Sequence, residues 1–221
     1  MQFSARETLT EQVAQYLEDQ IVHGQMHSGE RIIESSMAKK LDVSHGCVRE
    51  ALLLIEKRYL VKIVPRKGTF VTTLDEDFVR ALYETLLLIL GNTGRKLVRE
   101  WRDEDMQHME ALYLEMKASF EAGKLQRFHE LGIEYTQASL VYARNHFIVE
   151  MINNLWPSAK RCSFLALQQG PQIIYDNLDY MRRSLDLIRT HDEVGLIELL
   201  EAYGTKQCEQ VLACIKPKRP L

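Results

Sequence analysis

The 221-residue sequence predicts an all-α chain with one small β-hairpin, in which a short N-terminal part precedes an antiparallel bundle of six or seven helices. Three observations predict it. Apolar residues recur at spacings of three and four through most of the chain, the signature of amphipathic helices. That period breaks between residues 60 and 71, where two β-rich runs flank Pro65-Arg66-Lys67-Gly68. A composition of 46% hydrophobic and 27% charged residues, with five prolines and eleven glycines, describes a chain that can bury a core, neither disordered nor fibrous.

In order along the chain, Val13, Ala14, Leu17, Ile21 and Val22 form one stripe of a helix over Thr10–His23, with Thr10 as its N-cap and Gly24 as its stop. A turn at Ser28-Gly29 and an extended piece at Arg31-Ile32-Ile33 lead into a second helix, Glu34–Leu41. Asp42-Val43-Ser44 is a turn that ends on an N-cap serine, and Val48, Ala51, Leu52 and Ile55 mark the buried face of a third helix to about Lys57. Leu60–Val64 and Thr69–Val71 then read as a hairpin across the basic turn. Helix, helix, turn, helix, hairpin is the order of a winged helix-turn-helix, so residues 1–73 are expected to form one, an all-α unit with a small β-hairpin wing. In that fold the start of the second turn-flanking helix meets base edges in the major groove. Those residues are Ser44, His45, Gly46 and Cys47, with Arg49 one turn on. Arg66 and Lys67 at the wing tip suit a phosphate backbone or minor groove, and Gly68 allows close approach.

Residues 74–221 are expected to be all-α. Asp75 opens a helix through Phe78, Leu82, Leu86 and Leu90, which Gly91-Asn92-Thr93-Gly94 interrupts or kinks. Asp103–Glu121, Lys124–Ala143, Phe147–Ala166 (through Pro157), Tyr175–Ile188 and Val194–Ile215 follow, and the tail 216–221 frays. Tyr135, Tyr142, Tyr175, Tyr180 and Tyr203 lie on helices that border the bundle interior. Four cysteines without a C-x-x-C pair read as reduced thiols. No leader or run of about 20 apolar residues is present, so a cytoplasmic protein without membrane contact is expected.

A net charge of −3 argues against a nucleic-acid partner only as an average. Residues 1–73 hold ten Lys/Arg against nine Asp/Glu. Within Ser44–Lys67 the ratio is six to two, the local positive excess that phosphate contacts need.

Gly29-Glu30-Arg31-Ile32-Ile33-Glu34, the run from Leu41 to Leu52 with Val48-Arg49-Glu50-Ala51-Leu52, and Pro65-Arg66-Lys67-Gly68-Thr69-Phe70-Val71 resemble the DNA-binding domain of GntR-family bacterial transcription regulators. The helical remainder resembles the FadR-type effector domain. The resemblance implies a repressor-type homodimer on a two-fold symmetric double-stranded DNA operator, responsive to a small-molecule effector. It also implies DNA contacts at Arg49, Ser44 and His45. Most relatives carry Arg where His45 stands, so operator preference is expected to differ. Ser35, at the start of the first turn-flanking helix, is placed to donate to phosphate.

Many such effector domains hold a divalent metal with one Asp and three His. Registered on Gly123, Asn145 and Asp192, those four positions fall on Gly132, Thr136, approximately Met181 and near Tyr203, which leaves no ligand set and no cofactor. Where relatives carry Arg and Glu on the first effector helix, the chain runs Leu86-Leu87-Leu88-Ile89-Leu90. The expectation is a metal-free pocket bordered by Leu86, Thr136 and Tyr203 that takes an apolar or acyl-type metabolite. The alternatives are a metal-dependent sensor of small organic acids and, in another class, an all-α enzyme. The chain has no Gly-x-Ser-x-Gly, P-loop, His-Glu-x-x-His or dinucleotide fingerprint, which argues against the enzyme.

Overall fold

The computed structural model describes residues 8–215; the tail 216–221 lies outside them. The chain forms two compact units, one of Met1–Leu74 with Asn153–Arg161, the other of Asp75–Ile152 with Cys162–Leu221.

The first unit contains α1 (Leu9–Val22), β1 (Arg31–Ile32), α2 (Glu34–Leu41), α3 (His45–Lys57), β2 (Val61–Val64) and β3 (Gly68–Val71). The α1 cap is Thr8, not Thr10. Thr8 Oγ1 accepts from the Glu11 amide at 3.2 Å while the Glu11 carboxylate accepts from the Thr8 amide at 2.7 Å, a reciprocal box that satisfies two end donors. Three residues after Thr10 stands Val13, which cannot close such a box, and the Thr10 hydroxyl instead donates to Glu50 on α3 at 3.2 Å. Val13, Ala14, Leu17 and Ile21 of α1 share a core with Val48, Ala51, Leu52 and Ile55 of α3, completed by Ala38, Leu60, Val61 and Val71. At about 1.5–3 kcal/mol for each large aliphatic side chain taken from water, this core fixes which face of α3 remains outside.

The extended piece at Arg31-Ile32 becomes a third strand. The sheet order is β1-β3-β2, antiparallel, with Arg31 opposite Phe70 and Val64 opposite Gly68. At the hairpin tip the Lys67 amide donates to the Val64 carbonyl at 3.0 Å, Pro65 holds the second turn position, and Arg66 takes φ +64° at the third, the pattern of a type II turn. Gly68 follows at φ +107°, and a Cβ there would lie 3.1 Å from Arg31 Nε. The positive φ favours glycine, and a Cβ would also push the Arg31 side chain aside by a few tenths of an ångström.

This unit also holds a buried ionic contact. Glu18 of α1, 3% exposed, accepts from Arg58 at 2.8 Å and lies 3.6 Å from Lys160. Ser158 donates to the Arg58 carbonyl at 3.1 Å, and Arg161 donates to the Thr72 carbonyl at 2.7 Å and to Ser28 Oγ at 2.8 Å.

The second unit is helical: α4 (Glu76–Glu100), α5 (Asp103–Glu121), α6 (Leu125–Ser139), a 3-10 turn (Leu140–Ala143), the outer parts of α7 (His146–Leu167), α8 (Pro171–Arg189) and α9 (Glu193–Ile215). Three sequence boundaries are corrected. α4 runs unbroken through residues 91–94, because Gly91 and Gly94 are buried and a Cβ at Gly94 would already touch Leu196 and Ile197 of α9 at 3.6 and 3.7 Å. At Gly94 the packing of α9 offsets the ~1 kcal/mol that a glycine costs a helix. The helix expected over Lys124–Ala143 tightens to 3-10 geometry after Ser139 and ends at Arg144, whose φ is +44°. α8 starts at Pro171, four residues earlier than expected, since proline is well placed at the first helical position. Met106, Met109, Leu112 and Met116 are buried, as their stripe on α5 requires. None of the four cysteines forms a disulfide. No helix among the described residues is long and apolar enough to cross a membrane.

Candidate nucleic-acid interface and ligand cavity

The outer surface of α3 follows from its inner one. With Val48, Ala51, Leu52 and Ile55 buried, the opposite side carries Gly46, Arg49, Glu50, Leu53 and Lys57, all exposed. Ser44 caps the helix by accepting from the Cys47 amide at 3.1 Å, and Ser44 and His45 are exposed beside it. The capping oxygen is an acceptor in this bond, so its proton stays available to an acceptor outside the protein. A helix start also carries partial positive charge, which favours phosphate.

Free charge separates the cations of this unit. Arg31, Arg49, Arg66 and Lys67 are exposed, and none pairs with a carboxylate among the described residues. Arg58, one of the six cations counted in the sequence, is withdrawn by Glu18. Arg31 belongs to the family motif quoted from the sequence but is not among the DNA contacts expected from it. Its guanidinium lies against Gly68, so the wing tip gains a third cation beside Arg66 and Lys67. The signal that could have found it is the short extended run at Arg31-Ile32, in which Arg31 pairs with Phe70, 39 residues further on. Ser35 is exposed in the first turn of α2.

In the helical unit a cavity of about 40 Å3 is walled by α4, α5, α6, α8 and α9. Of the three pocket residues expected from the sequence, Thr136 lines it. Tyr203 stands one layer out, its ring stacked on cavity-lining Tyr180 at 4.0 Å, its hydroxyl donating to Asn177 and accepting from Gln207 at 2.6 Å. Leu86 is buried in α4 outside the lining. Tyr135 also lines the cavity, whereas Tyr142 donates to Asp105 and Tyr175 is exposed. Burial raises the Tyr135 and Tyr180 hydroxyls above the usual tyrosine range, so both stay protonated.

The four positions registered on metal ligands do come together. A Cβ at Gly132 would lie 3.4 Å from Met116 Cε and 3.6 Å from Met181 Cε, Thr136 stands one turn along α6, and Tyr203 stacks behind Tyr180. Glycine, threonine and methionine there do not make a divalent-metal donor set. Among the described residues no three His, Cys, Asp or Glu side chains gather to hold an ion.

A three-helix head with a three-stranded wing, joined in one chain to a helical bundle with an internal cavity, defines a winged helix-turn-helix transcription regulator with a sensor domain. A model of the gntR family of bacterial regulatory proteins matches residues 9–71, and an FCD-domain model matches residues 73–204. The chain belongs to the GntR family of transcription regulators, in its FadR-type, FCD-containing branch. It is 25% identical over 193 residues to the gluconate operon transcriptional repressor of Bacillus subtilis (strain 168), spanning 85% of this chain and 79% of that one. To the HTH-type transcriptional regulator YdhC of the same organism it is 23% identical over 203 residues, spanning 88% and 87%. Its fold is similar to that of E. coli McbR/YncC, with a TM-score of 0.75 and 20% identity over 94% of this chain and 99% of the other. A GntR regulator from Rhodococcus sp. RHA1 gives 0.74 and 19%, over 92% and 97%. The pairing of domains implies DNA as the partner of the first and a small-molecule effector as that of the second.

Proposed function

We propose that the chain is a ligand-responsive repressor that acts in the cytoplasm as a homodimer on a two-fold related operator. Residues 1–73 read the DNA and residues 74–221 bind the effector and dimerise. Ser44, His45, Gly46 and Arg49 enter the major groove; Arg66, Lys67 and Gly68 lie on the adjacent backbone or minor groove, with Ser35 on a phosphate. The observation that carries this reading is the set of exposed, unpaired cations on α3 and the wing beside a capped helix start. The similarity to a gluconate operon repressor favours repression. Two-fold symmetry follows from pairing identical heads, since each presents the same helix to its own half-site. The effector is an apolar or acyl-type metabolite held without a metal, because the four positions a metal would need carry Gly132, Thr136, Met181 and Tyr203. A cavity of about 40 Å3 is well below the ~150 Å3 that encloses a benzene-sized guest, so a long acyl chain requires side chains to move.

Selection of bound DNA from a random pool tests the reading: an inverted repeat should emerge, and footprinting should protect that repeat alone. Uniform coating of the DNA with no preferred sequence would overturn it. Lys67→Ala is expected to weaken binding about equally on operator and on unrelated DNA and to lower the salt slope by about one ion, measured by anisotropy across a salt series.

A further inference from the structure

The cavity in the helical unit has two unlike walls. Leucines of α4 and α9 supply hydrocarbon, while α6 and α8 supply five hydroxyls, from Tyr135, Thr136, Ser139, Tyr180 and Ser184. No lining residue carries a charge. The protons of four hydroxyls can be traced to protein acceptors. Thr136 donates to the Gly132 carbonyl at 3.1 Å, Ser139 to the Thr136 carbonyl at 2.7 Å and Ser184 to the Met181 carbonyl at 2.8 Å. Tyr135 Oη lies 2.7 Å from Ser184 Oγ and 3.3 Å from the Met181 carbonyl, so both hydroxyl protons are taken up within this group whichever of the two donates to the other. The Tyr180 hydroxyl has no hydrogen-bond partner among the described residues; its ring is fixed by the stack on Tyr203.

A hydroxyl that donates still has lone pairs to offer. Among the lining residues Tyr180 thus holds the one available donor, and Thr136 and Ser139 keep acceptor lone pairs, in an apolar surround. We infer that this cavity binds a compact uncharged ligand through a hydroxyl or primary carboxamide, which accepts from Tyr180 and donates to Thr136 or Ser139. The inference rests on reading this unit as the effector domain. A carboxylate accepts only; it would meet one donor, several lone pairs and no cation, and would lose its hydration without replacement. An alkylammonium donates only and finds no counter-charge. A ketone satisfies Tyr180 and leaves Thr136 and Ser139 facing hydrocarbon.

The test titrates the full-length protein with four probes of similar size: acetamide, acetate, acetone and ethylammonium. Binding is followed by chemical-shift perturbation to about 50 mM, since ligands with so few atoms bind weakly. Acetamide should bind saturably, with acetate and ethylammonium at least tenfold weaker. Tyr180→Phe should weaken acetamide and acetone alike, by about 2- to 10-fold. At least one of Thr136→Val and Ser139→Ala should weaken acetamide and leave acetone unchanged, a split that general loosening of the bundle would not produce, and acetamide binding indifferent to both would overturn the inference. Acetate binding as tightly as acetamide would overturn the inference. Indifference to Tyr180→Phe, equal loss of both neutral probes in each Thr136 or Ser139 variant that weakens acetamide, or no saturable shift by any probe would also overturn it. Operator binding by the same samples is measured separately. Loss of all sequence preference in the parent protein sinks the regulator reading, while the probe pattern alone decides the cavity chemistry.

Discussion

Arg49→Ala is expected to lower affinity for the selected operator by about 10- to 100-fold at fixed salt, the worth of one good two-pronged base contact. The side chain stands one turn from the capped start of α3, on the face opposite Val48, Ala51, Leu52 and Ile55, and it is exposed. Glu50 beside it is held toward α1 by the Thr10 hydroxyl and makes no ion pair with the guanidinium among the described residues. Affinity for unrelated DNA should fall much less than operator affinity, because a base contact discriminates where a phosphate contact does not. The unfolding midpoint should hardly move, since substitutions of exposed side chains without partners stay within about 0.5 kcal/mol. Arg49→Lys should recover little of the loss, as a point charge cannot make the planar two-pronged contact. An equal fall on operator and unrelated sequences would reassign Arg49 to the phosphate backbone. Unchanged specific affinity would remove α3 from the groove.

The features of this head that depend on local chemistry were legible in the sequence. Ser44 before an apolar stripe announces both the start of α3 and its buried side, and the switch of period around Pro65–Gly68 announces the hairpin. Features made by distant residues were not. Thr8 and Thr10 are equally good caps until Glu11 is counted as a partner for the first. Gly91 and Gly94 look like a break because propensity is local, while the packing of Leu196 and Ile197 against Gly94 comes from a helix a hundred residues away. The place of Asn153–Arg161 in the first unit has no counterpart in the local pattern, which reads one continuous helix across it. In the cavity Thr136 could be placed by registration against a family pattern. The hydroxyls of Ser139 and Ser184 could not, since a serine on an amphipathic helix carries no mark of which cavity it borders.

Arg58→Met is expected to destabilise the first unit by about 2–4 kcal/mol, more than its position at the exposed end of α3 suggests. The reason is asymmetric burial. Arg58 is 32% exposed and can be hydrated without a partner, whereas Glu18 is 3% exposed and sits among the apolar residues of α1. Removing the cation leaves a buried carboxylate with Lys160 at 3.6 Å and no short hydrogen bond from Arg58. Glu18→Gln should cost less, because a neutral amide of the same shape still accepts from Arg58 and leaves only half-exposed cations uncompensated. The double variant Glu18→Leu with Arg58→Met should be less destabilised than Arg58→Met alone, since an apolar pair of similar volume removes the desolvation penalty altogether. Amide hydrogen exchange of α1 and α3 gives the measurement, because it isolates this unit from the helical one when the two do not unfold together. Equal protection in Arg58→Met and the parent would show that Lys160 and solvent alone satisfy Glu18. A double variant worse than either single one would show instead that the charge pair sets the packing of α1 on α3, and with it the direction in which Arg49 faces.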